Sequence, residues 1–100
     1  MPISSSLSQD GATVTIRVMG RFDFSSHQDF VLSYKGFPKG EKYFVVDLAG
    51  AEYLDSSAMG MLLLLREYSR QGTRVVLQNG SEALMEILNI ANFGKLFNIR

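Results

Sequence analysis

Cysteine and tryptophan are absent from this chain, proline occurs twice and histidine once. Without cysteine there are no disulfides, zinc ribbons or thiol catalysis. Neither sign of charge predominates, because ten basic side chains balance ten acidic ones. Zero net charge gives no electrostatic footprint for nucleic acid or for an anionic membrane. The longest unbroken apolar run, residues 61–65, is far too short to insert across a bilayer. Met1, Pro2, Ile3 and Ser4 open the chain without a basic segment and a following apolar stretch. No signal peptide is therefore expected, and the expected location is the cytoplasm. No metal site and no cofactor is expected. Internal repeats, low-complexity tracts and linkers are missing as well.

The composition that remains is that of a folded globule. With 46% apolar residues and 11% aromatics, the 100 residues suit one domain, spanning 1–100, and argue against disorder. Residues 3–9 read as a weak edge strand, and Asp10-Gly11 as a hairpin turn. Residues 13–19 alternate. Val14, Ile16 and Val18 point one way, and Thr13, Thr15 and Arg17 the other, as in a half-buried strand. Gly20-Arg21-Phe22-Asp23 reads as a loop, and residues 25–34 as a short helix capped by Ser25 or Ser26. Residues 43–48 are β-branched and aromatic almost throughout, the signature of a central strand covered on both faces. A helix is expected from Ser56 to about Gln71, with Gly72 at its C-cap. Residues 74–78 read as a strand, and Ser81 caps a helix to about Ala91 whose core stripe is Leu84, Ile87, Leu88 and Ala91. Phe93, Leu96, Phe97 and Ile99 form a closing strand or turn.

Strands alternating with helices imply a mixed, mostly parallel sheet with right-handed crossovers. Loops leaving the carboxyl ends of such strands gather at one edge. Those loops hold residues 20–23, 49–57 and 79–80, which brings Asp23, Asp55, Ser56 and Ser57 together.

The helix opening at Ser56 contradicts itself. At 100° per residue, Ala58, Met61, Leu62, Leu65 and Ser69 share one face, the core face. Ser56, Gly60, Leu63, Glu67 and Arg70 share the opposite face, with Met59 on the flank. A helix that is apolar on both sides is either fully buried or offers a surface to something else. Two readings stand at this point: an open apolar patch of Met59, Gly60 and Leu63 beside Ser56, suited to a protein partner, or the same face covered by the tail from Phe93. The helix tip itself is positive and rich in unpaired N–H groups, so a phosphate on Ser56 is favoured there. Simple capping by Asp55 or Ser56 explains the same residues.

Tyr53-Leu54-Asp55-Ser56-Ser57-Ala58-Met59-Gly60 resembles the signature of STAS-domain anti-sigma-factor antagonists, an apolar residue followed by Asp-Ser-Ser or Asp-Ser-Thr. Gly20-Arg21-Phe22-Asp23 resembles their Gly-x-apolar-Asp segment, and Ser81-Glu82-Ala83-Leu84 and Phe93-Gly94-Lys95-Leu96-Phe97 their next helix and closing segment. The resemblance implies an α/β STAS fold: a four- to five-stranded, mostly parallel sheet with helices mainly on one face. It also implies a cycle without enzymatic activity in this chain. An anti-sigma factor with serine kinase activity phosphorylates Ser56, and a metal-dependent serine phosphatase restores it. Only the free form, expected to be a monomer, binds the anti-sigma factor and so releases the sigma factor. Asp23, Asp55 and Ser57 then form the surroundings of the phosphosite, and Phe22 joins Met59, Gly60 and Leu63 as a partner contact. Two departures from the pattern are Ala58 in place of a commoner Gly and an end at Arg100, where many members continue into a further helix.

The same fold also serves as an accessory subunit docked on the ATPase of a lipid-export transporter. A hydrolase using Ser56, His27 and Asp23 has only one histidine to call on and lacks a Gly-x-Ser-x-Gly elbow. Gly40-Glu41-Lys42 lies in front of a strand and is no phosphate-cradling loop.

Overall fold

The computed structural model describes residues 2–100. Five strands form one sheet in the order β1-β2-β3-β4-β5: β1 (Ile3–Leu7), β2 (Thr13–Phe22), β3 (Tyr43–Leu54), β4 (Val76–Gln78) and β5 (Asn98–Ile99). β1 is antiparallel to β2, and the remaining pairs are parallel. Three helices make the crossovers: α1 (His27–Lys35), α2 (Ser56–Tyr68) and α3 (Glu82–Ile90). Because every right-handed crossover advances the same way across the sheet, all three helices fall on one face.

Burial records this one-sidedness. Val14, Ile16 and Val18 of β2 and Phe44, Val46 and Leu48 of β3 are enclosed, together with Leu77 of β4. Their alternate neighbours Arg17, Met19 and Tyr43 are exposed, and Val45 and Asp47 are half-buried. The central strand is thus covered on one face only. The apolar run in β3 owes its appearance to Tyr43 and Val45, which are apolar enough for a second core layer but face the open side.

Both long strands run further than their sequence suggests. β2 continues through Gly20-Arg21-Phe22, which is strand and not loop, and β3 continues to Leu54. Gly20 holds φ at +71°, a value glycine adopts without strain. β3 uses 12 residues to face the 10 of β2. Register slips by one between Arg17/Met19 and again between Gly20/Arg21, so β3 carries two bulges. Bulges bend a strand and re-aim its side chains. Here they return Leu54 to the core opposite Phe22 and leave Arg21 and Tyr53 paired on the outer side.

The helices pack as their spacing predicts, with shorter ends. In α2, Ala58, Met61, Leu62 and Leu65 are buried, and Ser69 just beyond is buried as well. α2 ends at Tyr68. Ser69 turns extended, its hydroxyl donates to the Arg66 carbonyl at 2.8 Å, and the Arg70 N–H donates to the Lys42 carbonyl. Gly72 (φ +80°) therefore serves the following turn and not the helix C-cap. α1 begins at His27 with Ser26 at its N-cap position, as expected, though the Ser26 side chain makes no capping bond; the 3-10 turn before it, Phe24–Ser26, is capped by Asp23. α3 is capped by Ser81, whose hydroxyl accepts from the Leu84 N–H at 3.2 Å. Its buried stripe is only Leu84 and Leu88, while Ile87 and Ala91 stay exposed. Strands of three and two residues beneath it give too narrow a platform to cover more.

Candidate functional site at the carboxyl edge of the sheet

β2 and β3 end side by side, with Phe22 opposite Leu54, and each releases the same short device. Asp23 accepts from the Ser25 N–H and hydroxyl. Asp55 accepts from the Ala58 N–H at 3.1 Å and from the Ser57 hydroxyl at 2.6 Å. Each aspartate thus caps the turn or helix that follows and ties down the serine two residues on. Between aspartate and tied serine stands one exposed residue: Phe24 in the first device, Ser56 in the second.

The hydrogen bonds explain the acidities. The Ser57 hydroxyl, then the Ala58 N–H, hold the Asp55 carboxyl below its ordinary value of 3.8, against the charge of nearby Asp23. The Ser25 hydroxyl and N–H, aided by Arg21, do the same for Asp23. Both groups are anionic near neutral pH. The opposition from Asp23 in the Asp55 environment places the two devices within electrostatic reach of one another.

Asp23, Asp55, Ser56 and Ser57 therefore share one edge. Ser56 is exposed at the first residue of α2, where backbone N–H groups lack helical partners. Ser57 is half-buried and held by Asp55. Ala58 is fully enclosed, so its methyl group fills core space. Along the outer side of α2, Gly60 is open, Leu63 is 37% exposed and Leu64 is 52% exposed. Met59 is half-buried against the core. The tail does not cover this face. Phe93 and Phe97 are buried and stacked on each other, Leu96 is partly buried against the core, and its carbonyl accepts from Arg66 Nε at 3.3 Å, while Gly60 and Leu63 stay exposed.

Phe22, expected as a partner contact, lies in the core instead. It is fully enclosed against Phe30, with ring centres 5.1 Å apart, and offers nothing to a partner. The exposed aromatic at this edge is Phe24, 70% exposed and stacked on the His27 ring. The alternation of β2 already held this answer. Val14, Ile16, Val18, Gly20 and Phe22 keep one parity, so Phe22 belongs to the inner row. Arg21 and Tyr53, the outward pair, lacked any such signal, since their meeting depends on two bulges. A groove of about 350 Å³ runs between α1 and α2, lined by Val31 and Leu64 among others. His27 makes no hydrogen bond to Ser56 or Asp23, and Asp23 is already engaged, so these three do not form a relay. Among the described residues no cluster of His, Asp and Glu is placed to hold a metal ion, and no helix is long and apolar enough to cross a membrane.

Comparison with known proteins gives one family. Residues 5–98 match the family described as Mlab, STAS domain. A STAS-domain containing protein of Pseudomonas aeruginosa (strain UCBPP-PA14) is 46% identical over 100 residues, covering 99% of each chain. Among solved structures, the anti-sigma factor antagonist SpoIIAA in its unphosphorylated form superposes with a TM-score of 0.69 at 18% identity, over 98% of this chain and 86% of that one. An antisigma-factor antagonist STAS domain from Rhodobacter sphaeroides gives 0.56 at 28% identity, over 77% of this chain and 84% of that one.

Proposed function

The chain belongs to the STAS-domain family, and from that premise we propose that it is an anti-sigma-factor antagonist whose partner binding is switched off by phosphorylation of Ser56. The observation that carries this reading is an exposed hydroxyl at the tip of α2, beside an apolar surface that the chain leaves open. Two solved structures of this fold, both named as antagonists of anti-sigma factors, support it.

In this reading the free protein is a monomer in the cytoplasm and not an enzyme. An anti-sigma factor with serine kinase activity seats on Gly60, Leu63 and the edge of Met59, with Phe24 in place of Phe22. A metal-dependent phosphatase resets Ser56. The phosphate adds about −1.5 to −2 charge. Asp23 and Asp55 are solvated, so their repulsion is screened while the edge is open. The cost falls on docking, when a dianion beside two carboxylates must be desolvated against apolar side chains. Each factor of ten in affinity is about 1.4 kcal/mol. A loss of about a hundredfold or more follows without any refolding.

The test is an affinity comparison of wild type, Ser56→Ala and Ser56→Asp against partners recovered from the source cells and identified by mass spectrometry. The reading expects a kinase-type ATPase bound by wild type and Ser56→Ala and lost by Ser56→Asp. It also expects phosphoserine at position 56 in chain isolated from cells. A transporter ATPase bound equally by all three overturns it in favour of the accessory-subunit role.

A further inference from the structure

Arg21 forms the only ion pair among the described residues, its Nε 3.2 Å from Asp23 Oδ2. Its guanidinium carbon also lies 3.8 Å from the centre of the Tyr53 ring. The two residues face each other across β2 and β3 at the second bulge. The Tyr53 hydroxyl in turn donates to Asp55 Oδ2 at 3.4 Å. A single cation therefore stands with Asp23 on one side and, along the tyrosine ring, Asp55 on the other. Ser56 is the next residue. The Arg21 side chain is 63% exposed, so one ion pair and one ring face hold it, and packing does not.

We propose that Arg21 is the residue that receives the phosphate on Ser56, leaving Asp23 to do so. The proposal rests on the phosphorylation reading above. A guanidinium matches a phosphate in two-point geometry, and a dianion outcompetes a carboxylate for it. The face of Tyr53 holds the guanidinium on the side leading to Asp55. Asp23, Asp55, Tyr53, the exposed Glu52 at the same bulge and, through Phe24, His27 are other charged or titratable groups near this edge, and none of the first four offers a cation at neutral pH. Transfer of Arg21 leaves Asp23 with Ser25 alone, at the base of the turn that presents Phe24. Phosphorylation then alters the edge twice: it adds charge at Ser56 and releases the brace beneath Phe24.

The test installs phosphoserine at position 56 by chemical ligation or codon reassignment, so that its outcome does not depend on any kinase. Phosphorus NMR follows the second ionisation of the phosphate in the otherwise wild-type chain, in Arg21→Gln and in Arg21→Lys. The proposal expects a midpoint lower by about half a pH unit with arginine than with glutamine, lysine falling between. It also expects the Arg21 Nε–H resonance to move with the phosphate titration. Equal midpoints in wild type and Arg21→Gln overturn it. Failure of the phosphorylation reading registers elsewhere, as absence of phosphoserine from chain isolated from cells.

Discussion

Ser57 donates its hydroxyl to Asp55 at 2.6 Å, and this one bond makes two adjacent serines different in kind. Ser57 is part of the cap of α2, half-buried and engaged. Ser56 is exposed and stands outside that bond. The same carboxylate accepts the Ala58 N–H, so Asp55 both starts the helix and separates the roles of the two hydroxyls.

The cap gives acid stability a definite sign. Ser57 and Ala58 lower the Asp55 carboxyl below 3.8 in the folded chain. A depressed acid contributes stability that is fully present above its unfolded value, and the contribution disappears as pH falls through the folded value. Asp55→Asn keeps an acceptor but cannot titrate. Urea unfolding across pH 2–7 is expected to show wild type ahead of Asp55→Asn down to about pH 4. The gap then closes as pH falls further. A gap that widens with acid contradicts the assigned hydrogen bonds.

Ser56 contributes little to folding, because Asp55 and not Ser56 caps the helix. Ser56→Ala and Ser56→Asp are each expected to unfold within about 0.5 kcal/mol of wild type. Calorimetry checks this. The result matters for the binding comparison, since a loss of partner binding in Ser56→Asp then reflects the surface and not a damaged core.

Phe22 and Phe24 divide core from surface across two residues. Phe22→Ala empties a fully enclosed site against Phe30 and is expected to cost about 3–5 kcal/mol. Phe24→Ala removes an exposed ring, so its stability is expected to stay within about 0.5 kcal/mol of wild type. Its partner affinity is expected to fall by about tenfold or more, as for an aromatic anchor at an interface. Denaturant titration and a binding isotherm on the same two variants separate these effects.

The pair also marks how far residue pattern reaches. The two-residue period of β2 and the 100° steps of α2 locate the inner rows, because side-chain direction is fixed by backbone geometry alone. Val14, Ile16, Ala58, Leu62 and Leu65 are found that way. The edge shared by Asp23 and Asp55 follows from topology, since parallel strands release their loops on one side. The meeting of Arg21 with Tyr53 does not follow. It requires β3 to spend two extra residues at bulges, and in the run Leu48-Ala49-Gly50-Ala51-Glu52 only Gly50 hints at a slip, without fixing the register that follows. The end of α2 is hidden for a related reason. Residues 69–71 would continue a helix by pattern, yet Arg70 is drawn away by a backbone bond to Lys42, a contact distant in sequence.

Gly60 offers the sharpest test of what the open face is for. A glycine inside a helix costs about 0.5–1 kcal/mol relative to alanine. Its usual excuses are a positive φ or a crowded neighbour. Gly60 has neither: its φ is ordinary, and a methyl group there meets nothing within 4 Å. The fold gains nothing from it, so the remaining use is the approach of something from outside, close to the α2 backbone between Ser56 and Leu63. Gly60→Ala is accordingly expected to raise unfolding stability by about 0.5–1 kcal/mol while weakening the partner by about tenfold or more. These two changes have opposite signs, and a merely structural glycine cannot produce both. A stabilised variant with unchanged affinity means that the partner seats elsewhere, on Leu64 and the groove beside α1, and that the first turns of α2 stay uncovered in the complex.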